Sequence, residues 1–253
     1  AAAKDPAALV EEFEATAPIE VLDPDYNVAP TKRVYIVVDR RVDDVRERSL
    51  EIARWGLVPS WAKDPAIGGR MINARAETVN VKPAFRAAFA KRRCLVPADG
   101  YYEWYQPTPS VAAVTPTARA GALAKQPFYI RRADGRSLAM AGLYEWWRDR
   151  SVPDDDPAGW RLTCTVITTE AADEVGRIHD RMPMIVPRED WAAWLDPGTT
   201  IDPRTLMGAA ATLRLEAYPV STAVNAVRNN GPHLVDPLAA EPEPDGLFPD
   251  ASR

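Results

Sequence analysis

Two glutamates sit in near-identical aromatic settings, Gly100-Tyr101-Tyr102-Glu103-Trp104 and Gly142-Leu143-Tyr144-Glu145-Trp146, and each is a candidate for acid–base work. Apolar surroundings disfavour the carboxylate and lift its pKa toward the range where it exchanges protons at neutral pH. The commoner fate of such a side chain is an ion pair with a nearby arginine, and at this level both glutamates and both roles stay open. His179 stands in Ile178-His179-Asp180-Arg181-Met182-Pro183, after a helix expected over 171–178 whose dipole favours the protonated imidazole. A lone histidine is more often a surface or packing residue. Asn73, in Ile72-Asn73-Ala74-Arg75, reads equally as a turn residue or as a hydrogen-bonding group. Arg75 and Arg181 each stand two positions from one of these residues, and a guanidinium fork matches two phosphate oxygens at once.

Several chemistries are excluded. Cys94 and Cys164, the only cysteines, lie in apolar contexts and read as buried free thiols rather than a disulfide or a metal site. With His179 and His233 the only histidines, no zinc set is expected and no cofactor is implied. No Gly-x-Ser-x-Gly or HExxH pattern supports an ordinary peptidase acting on other proteins. There is no apolar run of about 18 residues to span a membrane and no secretory pattern at the start, so a cytoplasmic protein is expected.

The net charge of −5 is unevenly placed. From Leu234 to Arg253 five acids oppose the single Arg253, whereas between Arg54 and Arg93 nine bases oppose only Asp64 and Glu77. That basic stretch suits a phosphate-binding face, and equally a solvated helix surface.

The elements that must carry these residues are short. Asp5-Pro6 followed by Ala7-Ala8-Leu9 predicts a capped helix running to Phe13. Strands are expected over 33–38, 52–58, 94–97, 128–131, 138–143, 163–168 and 215–220, and helices over 82–91 and 188–195. Loops rather than regular crossover helices separate the strands, which predicts an α+β domain with a mainly antiparallel, barrel-like β core and flanking short helices. Segments 106–124 and 151–159 and the acidic, Pro-rich tail 238–253 are expected to be poorly ordered.

Read in order, the chain carries Tyr26-Asn27-Val28-Ala29-Pro30-Thr31, Arg54-Trp55-Gly56-Leu57-Val58-Pro59-Ser60-Trp61, Ile72 to Thr78, Cys94 to Trp104, Ile178 to Pro183, and Val220-Ser221-Thr222 with Asn225 to Pro232. Any one block is weak evidence, but their joint order resembles the signature blocks of the SOS-response-associated peptidase family over roughly residues 5 to 237. The resemblance implies one abasic-site processing domain over 1–237. It implies a Cys-Gly-Arg-aromatic opening whose N-terminal cysteine is the nucleophile, exposed when the protein removes its own initiator methionine. This chain opens Ala1-Ala2-Ala3-Lys4, and Ala1 falls just after that tetrapeptide. Either the first few residues are missing or the protein is a variant without the nucleophile; the intact later blocks favour the first.

By resemblance Asn73, Glu103 and His179 are the catalytic set. Glu103 is preferred to Glu145 because only Glu103 follows Pro97-Ala98-Asp99-Gly100, and His179 would relay protons. Arg75, Arg181, Trp61, Asn27 and Pro30 would bind DNA, with Trp61 in a polar loop and Trp55 on a strand in the core. The implied partner is single-stranded DNA containing abasic sites, captured as a thiazolidine by a monomeric, nucleoid-associated protein. A non-covalent single-stranded DNA binding module is the alternative if the chain truly starts at Ala1.

Overall fold

Side-chain alternation along the strands builds two separate cores. On β1 (Arg33–Val42), Val34, Ile36 and Val38 join Cys94, Val96, Leu138, Met140, Cys164 and Val166 in one cluster. Their neighbours Tyr35 and Val37 join Leu50, Leu95, Ala139, Ala141, Leu143 and Ile167 in the other. This period of two is what a strand with both faces buried requires. A computed structural model describes residues 1–42, 45–105, 125–171, 178–198, 202, 205 and 214–238, and the expectations for 106–124, 172–177 and 239–253 lie outside the described residues.

β1 forms an antiparallel hairpin with β2 (Val45–Trp55) and pairs with β4 (Arg93–Ala98) at Val37 and Leu95. β4 pairs with β7 (Leu138–Arg148), and β7 with β8 (Trp160–Glu170). The ring closes where β8 runs parallel to β2, with Arg54 beside Thr163 and Trp55 beside Cys164. The result is a closed mixed barrel, parallel only where β8 meets β2 and the short β3 (Asn73–Arg75). Its interior is narrow. A Cβ on Gly142 would lie 2.8 Å from Val96 Cγ2 and 2.9 Å from Cys94 Sγ, so this inward-facing position has room for hydrogen only.

Among the described residues, three α-helices cover the outer face. In α1 (Pro6–Phe13) the Asp5 side chain accepts from the Ala7 amide and Pro6 opens the first turn, so Leu9 and Phe13, four apart, point inward. Phe13 stacks on Trp191 at 4.6 Å, the first residue of α3 (Trp191–Leu195). Only Arg86–Lys91 (α2) of the expected 82–91 helix forms. In the expected 188–195 helix, Arg188–Asp190 is a tighter 3₁₀ turn leading into α3.

A smaller sheet stands against the barrel in the order β10-β6-β5, from β5 (Gly100–Tyr105), β6 (Gln126–Arg132) and β10 (Leu215–Pro219). Tyr102, Trp104, Tyr129 and Tyr218 line one face with Val220, Val224 and Ala1. The expected 52–58 strand stops at Trp55 because Gly56 takes a φ of 131°, and a Cβ there would come within 2.7 Å of the Gly68 carbonyl oxygen. Segment 151–159 corrects an expectation: it folds as turns and a 3₁₀ helix (Pro157–Gly159) around the Arg148 guanidinium, which donates to the carbonyls of Asp149, Val152 and Pro153. One half-buried arginine meeting three backbone acceptors supplies the order that a Pro- and Asp-rich composition does not announce.

Candidate functional site

Where the end of the barrel meets β5 there is a cavity of ≈ 620 Å³. Barrel residues Val34, Val96, Met140 and Val166 give it apolar walls, while Asn73, Arg75, Glu103, His179 and Arg181 bring polar groups to it. A mostly apolar cleft of this size with a few convergent polar groups is the common form of a small-molecule site. Ala1 and Ala2 also line it: the Ala1 nitrogen donates to the Gly100 carbonyl at 2.8 Å and the Ala3 amide to Asp99 Oδ2 at 2.6 Å.

The C-terminal half of β8 organises the polar side. β3 runs parallel to it, with Asn73 beside Val166 and Arg75 beside Thr168, and the alternation puts both side chains on one exposed face. On the other edge, β9 (Arg181–Pro183) sets Arg181 beside Glu170, and His179 precedes it by two residues. Two three-residue strands thus bring together the candidates from distant blocks of the chain.

Glu103 comes to the same cavity from β5, opposite Phe128. Burial pushes its carboxyl above the usual carboxylate range; His179 pulls it back, Asp180 pushes it further and the Trp104 amide lowers it, with a net rise. Glu103 therefore keeps its proton to higher pH than an exposed glutamate and can donate and take one back. Its echo has the other environment. Glu145 is 7% exposed, accepts from Arg92 Nη2 at 2.6 Å and does not line the cavity.

The Arg181 amide lies 3.0 Å from His179 Nδ1, and the same ring nitrogen is 3.2 Å from the Arg181 carbonyl oxygen and 3.2 Å from Asp180 Oδ1. Arg181 itself is committed. Its guanidinium donates to both Glu77 carboxylate oxygens, at 2.7 and 3.2 Å, and to the Thr168 carbonyl at 2.7 Å. Glu77 is held below the usual range, first by this hydrogen bond. Among the described residues no hydrogen bond or ion pair holds the Arg75 side chain, which makes it the freer of the two cations.

The remaining candidates divide. Pro30 lines the cavity. Asn27 lines it too, but its amide donates to the carbonyls of Val224, Ala226 and Asn229, tying the loop before β1 to the segment after β10. Trp61 is 59% exposed and stands outside the cavity lining. Trp55, expected in the core, is half-buried, donates to the Ile72 carbonyl at 2.8 Å and forms part of the cavity wall. The basic stretch is not one face: Arg92 pairs with Glu145, and the buried Arg93 donates to the carbonyls of Phe89, Trp194 and Asp196. Glu77 and Thr168, which hold Arg181, were not singled out from sequence, although Glu77 sits in the same block as Asn73.

Cys94 and Cys164 are free and buried in the barrel, and burial pushes the Cys164 thiol up to about 12, so neither is a thiolate nucleophile. Among the described residues no group of three or more His, Cys, Asp or Glu is placed to hold a metal, and no helix is long and apolar enough to cross a membrane.

Residues 1–227 match the family model described as SOS response associated peptidase (SRAP). The abasic site processing protein YoqW of Bacillus subtilis is 39% identical over 216 residues, covering 84% of this chain and 86% of that protein. The abasic site processing protein HMCES of Gallus gallus is 31% identical over 244 residues, covering 85% of this chain and 66% of that one. A crystal structure of a Bacteroides thetaiotaomicron protein superposes with a TM-score of 0.73 at 25% identity, over 94% of this chain and 98% of its own. With a family model spanning nearly the whole barrel and both edges of the cavity, this chain belongs to the SOS response associated peptidase family.

Proposed function

We propose that this chain processes abasic sites in single-stranded DNA, binding the base-free sugar in the barrel-end cavity. The observation that carries the reading is the gathering of Asn73, Arg75, Glu103 and His179 around one cavity whose wall also holds Ala1. An abasic sugar exchanges between a ring-closed hemiacetal and an open aldehyde. Glu103, with its raised pKa, donates the proton that opens the ring, and Asn73 hydrogen-bonds the sugar or the adjoining phosphate. Arg75 pairs with a flanking phosphate. His179, in the lining of the same cavity, relays protons to and from the reacting groups.

Covalent capture needs an amine and a thiol two carbons apart, as in an N-terminal cysteine. The amine adds to the C1′ aldehyde and the carbinolamine loses water to give an imine. The thiol then adds across the C=N bond and closes a thiazolidine, so the adduct weighs one water less than its two parts. Its intramolecular closure benefits from high effective concentration. A cysteine delivered on a short segment ahead of Ala1 starts from the cavity wall. The same acid and imidazole would assist hydrolysis of a methionine preceding that cysteine.

The test compares the chain beginning at Ala1 with one carrying Cys-Gly-Arg-Phe ahead of it. Both should bind abasic single-stranded DNA in preference to unmodified strand, and only the extended form should give a denaturation-resistant adduct. Equal adduct yields remove the N-terminal cysteine from the mechanism. Preferential binding by both forms with no adduct from either leaves the non-covalent single-stranded DNA module as the function.

A further inference from the structure

Tyr101 ends in a hydroxyl that is buried and has no hydrogen-bond partner among the described residues. Folded proteins keep few such groups without a ligand or a water to complete them. The other described side chains with an unpartnered buried polar atom are Arg40, Thr78, Arg92, Thr165 and Arg181, and of these only Arg181 lines the cavity, already bonded through its other nitrogens. Tyr101 lines the cavity as well, and the hydroxyl is the only polar group of its side chain.

Its place on β5 says what it faces. Tyr101 and Glu103 stand two apart, so they project from the same side of the strand, whereas Tyr102 and Trp104 take the other side with Tyr129. The Tyr101 ring packs against the barrel-interior cluster that walls the cavity. Burial, and then the charge of Glu103, push its phenol well above the ordinary range. The group is therefore a permanent donor, never a phenolate, beside the carboxyl that exchanges protons.

We infer that the Tyr101 hydroxyl is a specificity-determining group that donates a hydrogen bond to the C1′ oxygen of an abasic deoxyribose held against Glu103. The inference rests on the proposed function and assigns a residue to it. A base-bearing nucleotide has nitrogen at C1′ and offers this donor nothing at that atom. An abasic sugar has an oxygen there, as hemiacetal hydroxyl, hydrate or aldehyde. A buried donor left unpaired penalises the wrong ligand more than the completed bond favours the right one, which is how a polar pocket discriminates.

The experiment uses three single-stranded oligonucleotides: one with a borohydride-reduced abasic site, which keeps a C1′ hydroxyl, one with a tetrahydrofuran site, which lacks it, and one unmodified. Binding to the wild-type chain and to Tyr101→Phe is followed by fluorescence anisotropy. The wild type should prefer the reduced site over tetrahydrofuran by about ten-fold, and Tyr101→Phe should bind the two alike. An unchanged ratio in Tyr101→Phe, or no preference in the wild type, overturns the inference. So does a Tyr101→Phe protein that melts well below wild type, since its hydroxyl would then have a partner in the free protein. If the wild type binds neither abasic strand better than the unmodified one, the proposed function itself fails, and this inference with it.

Discussion

The echoed glutamates give a test in which chemistry and stability move in opposite directions. Glu103→Gln and Glu145→Gln are made in protein carrying the Cys-Gly-Arg-Phe extension, so that adduct formation can be timed. Glu103 has no ion-pair partner among the described residues and its ionised form is penalised by burial, so Glu103→Gln should leave melting nearly unchanged. It should slow adduct formation about 10²–10⁴-fold, the usual contribution of a positioned proton-transfer group. Glu145→Gln removes the charge that faces Arg92 at 2.6 Å, where the carboxylate is 9% and the guanidinium 26% exposed. Breaking a fully buried pair costs several kcal/mol, and the partly exposed arginine lowers this to about 1–2 kcal/mol, or roughly 2–8 °C of melting temperature for a chain of this size. Its adduct rate should stay near wild type. The pH dependence separates them again. The folded protein holds the Glu103 proton above the pH at which the unfolded chain releases it, so the stability this carboxyl contributes is full below the unfolded pKa and declines as pH rises toward the folded one. Glu103→Gln loses that decline and Glu145→Gln keeps it. Calorimetry between the ordinary carboxylate range and neutrality, with gel-based adduct kinetics, reads both quantities. Equal rates for the two variants, or the slower rate in Glu145→Gln, would refute the assignment.

Arg75→Ala should flatten the slope of log affinity against log salt for single-stranded DNA by about 0.7, while Arg136→Ala, in the exposed Asp134-Gly135 turn, should leave it unchanged; anisotropy titrations at several salt concentrations decide this. Glu77→Gln should release Arg181 from its bidentate pair and steepen the same slope by about 0.7, and an unchanged slope would mean that Arg181 never reaches a phosphate. Asn27→Ala should lower the melting temperature without changing the salt slope, because it strips the amide donor from three carbonyls at a cost of about 1–3 kcal/mol; a changed slope at constant stability would return Asn27 to the DNA-binding set.

The barrel was legible because its strands are buried on both faces and rich in β-branched residues, so Val34 to Val38 and Cys94 to Val96 read as strands from composition alone. β3 and β9 were not, although they carry Asn73, Arg75 and Arg181. Three residues are too few to show a period; β3 fills the edge of β8 beyond its pairing with β2, and β9 the opposite edge beyond its pairing with β7. The site candidates came from block order, which identifies residues without saying how each is held. Thus Arg75 and Arg181 looked equivalent in sequence, yet among the described residues only Arg181 of the two forms an ion pair with a carboxylate. Asn27 looked like a contact and serves as a clamp, since its three acceptors come from a segment about 200 positions away. Glu103 and Glu145 share a motif because each follows a glycine on a strand with aromatic neighbours. What separates them is the partner the fold supplies, Arg92 for Glu145 and the open cavity for Glu103. A carboxyl beside a cavity without an ion-pair partner can move protons and a carboxylate locked to an arginine cannot, so on the proposed function two near-identical patterns encode a reactive group in one sheet and a structural one in the other.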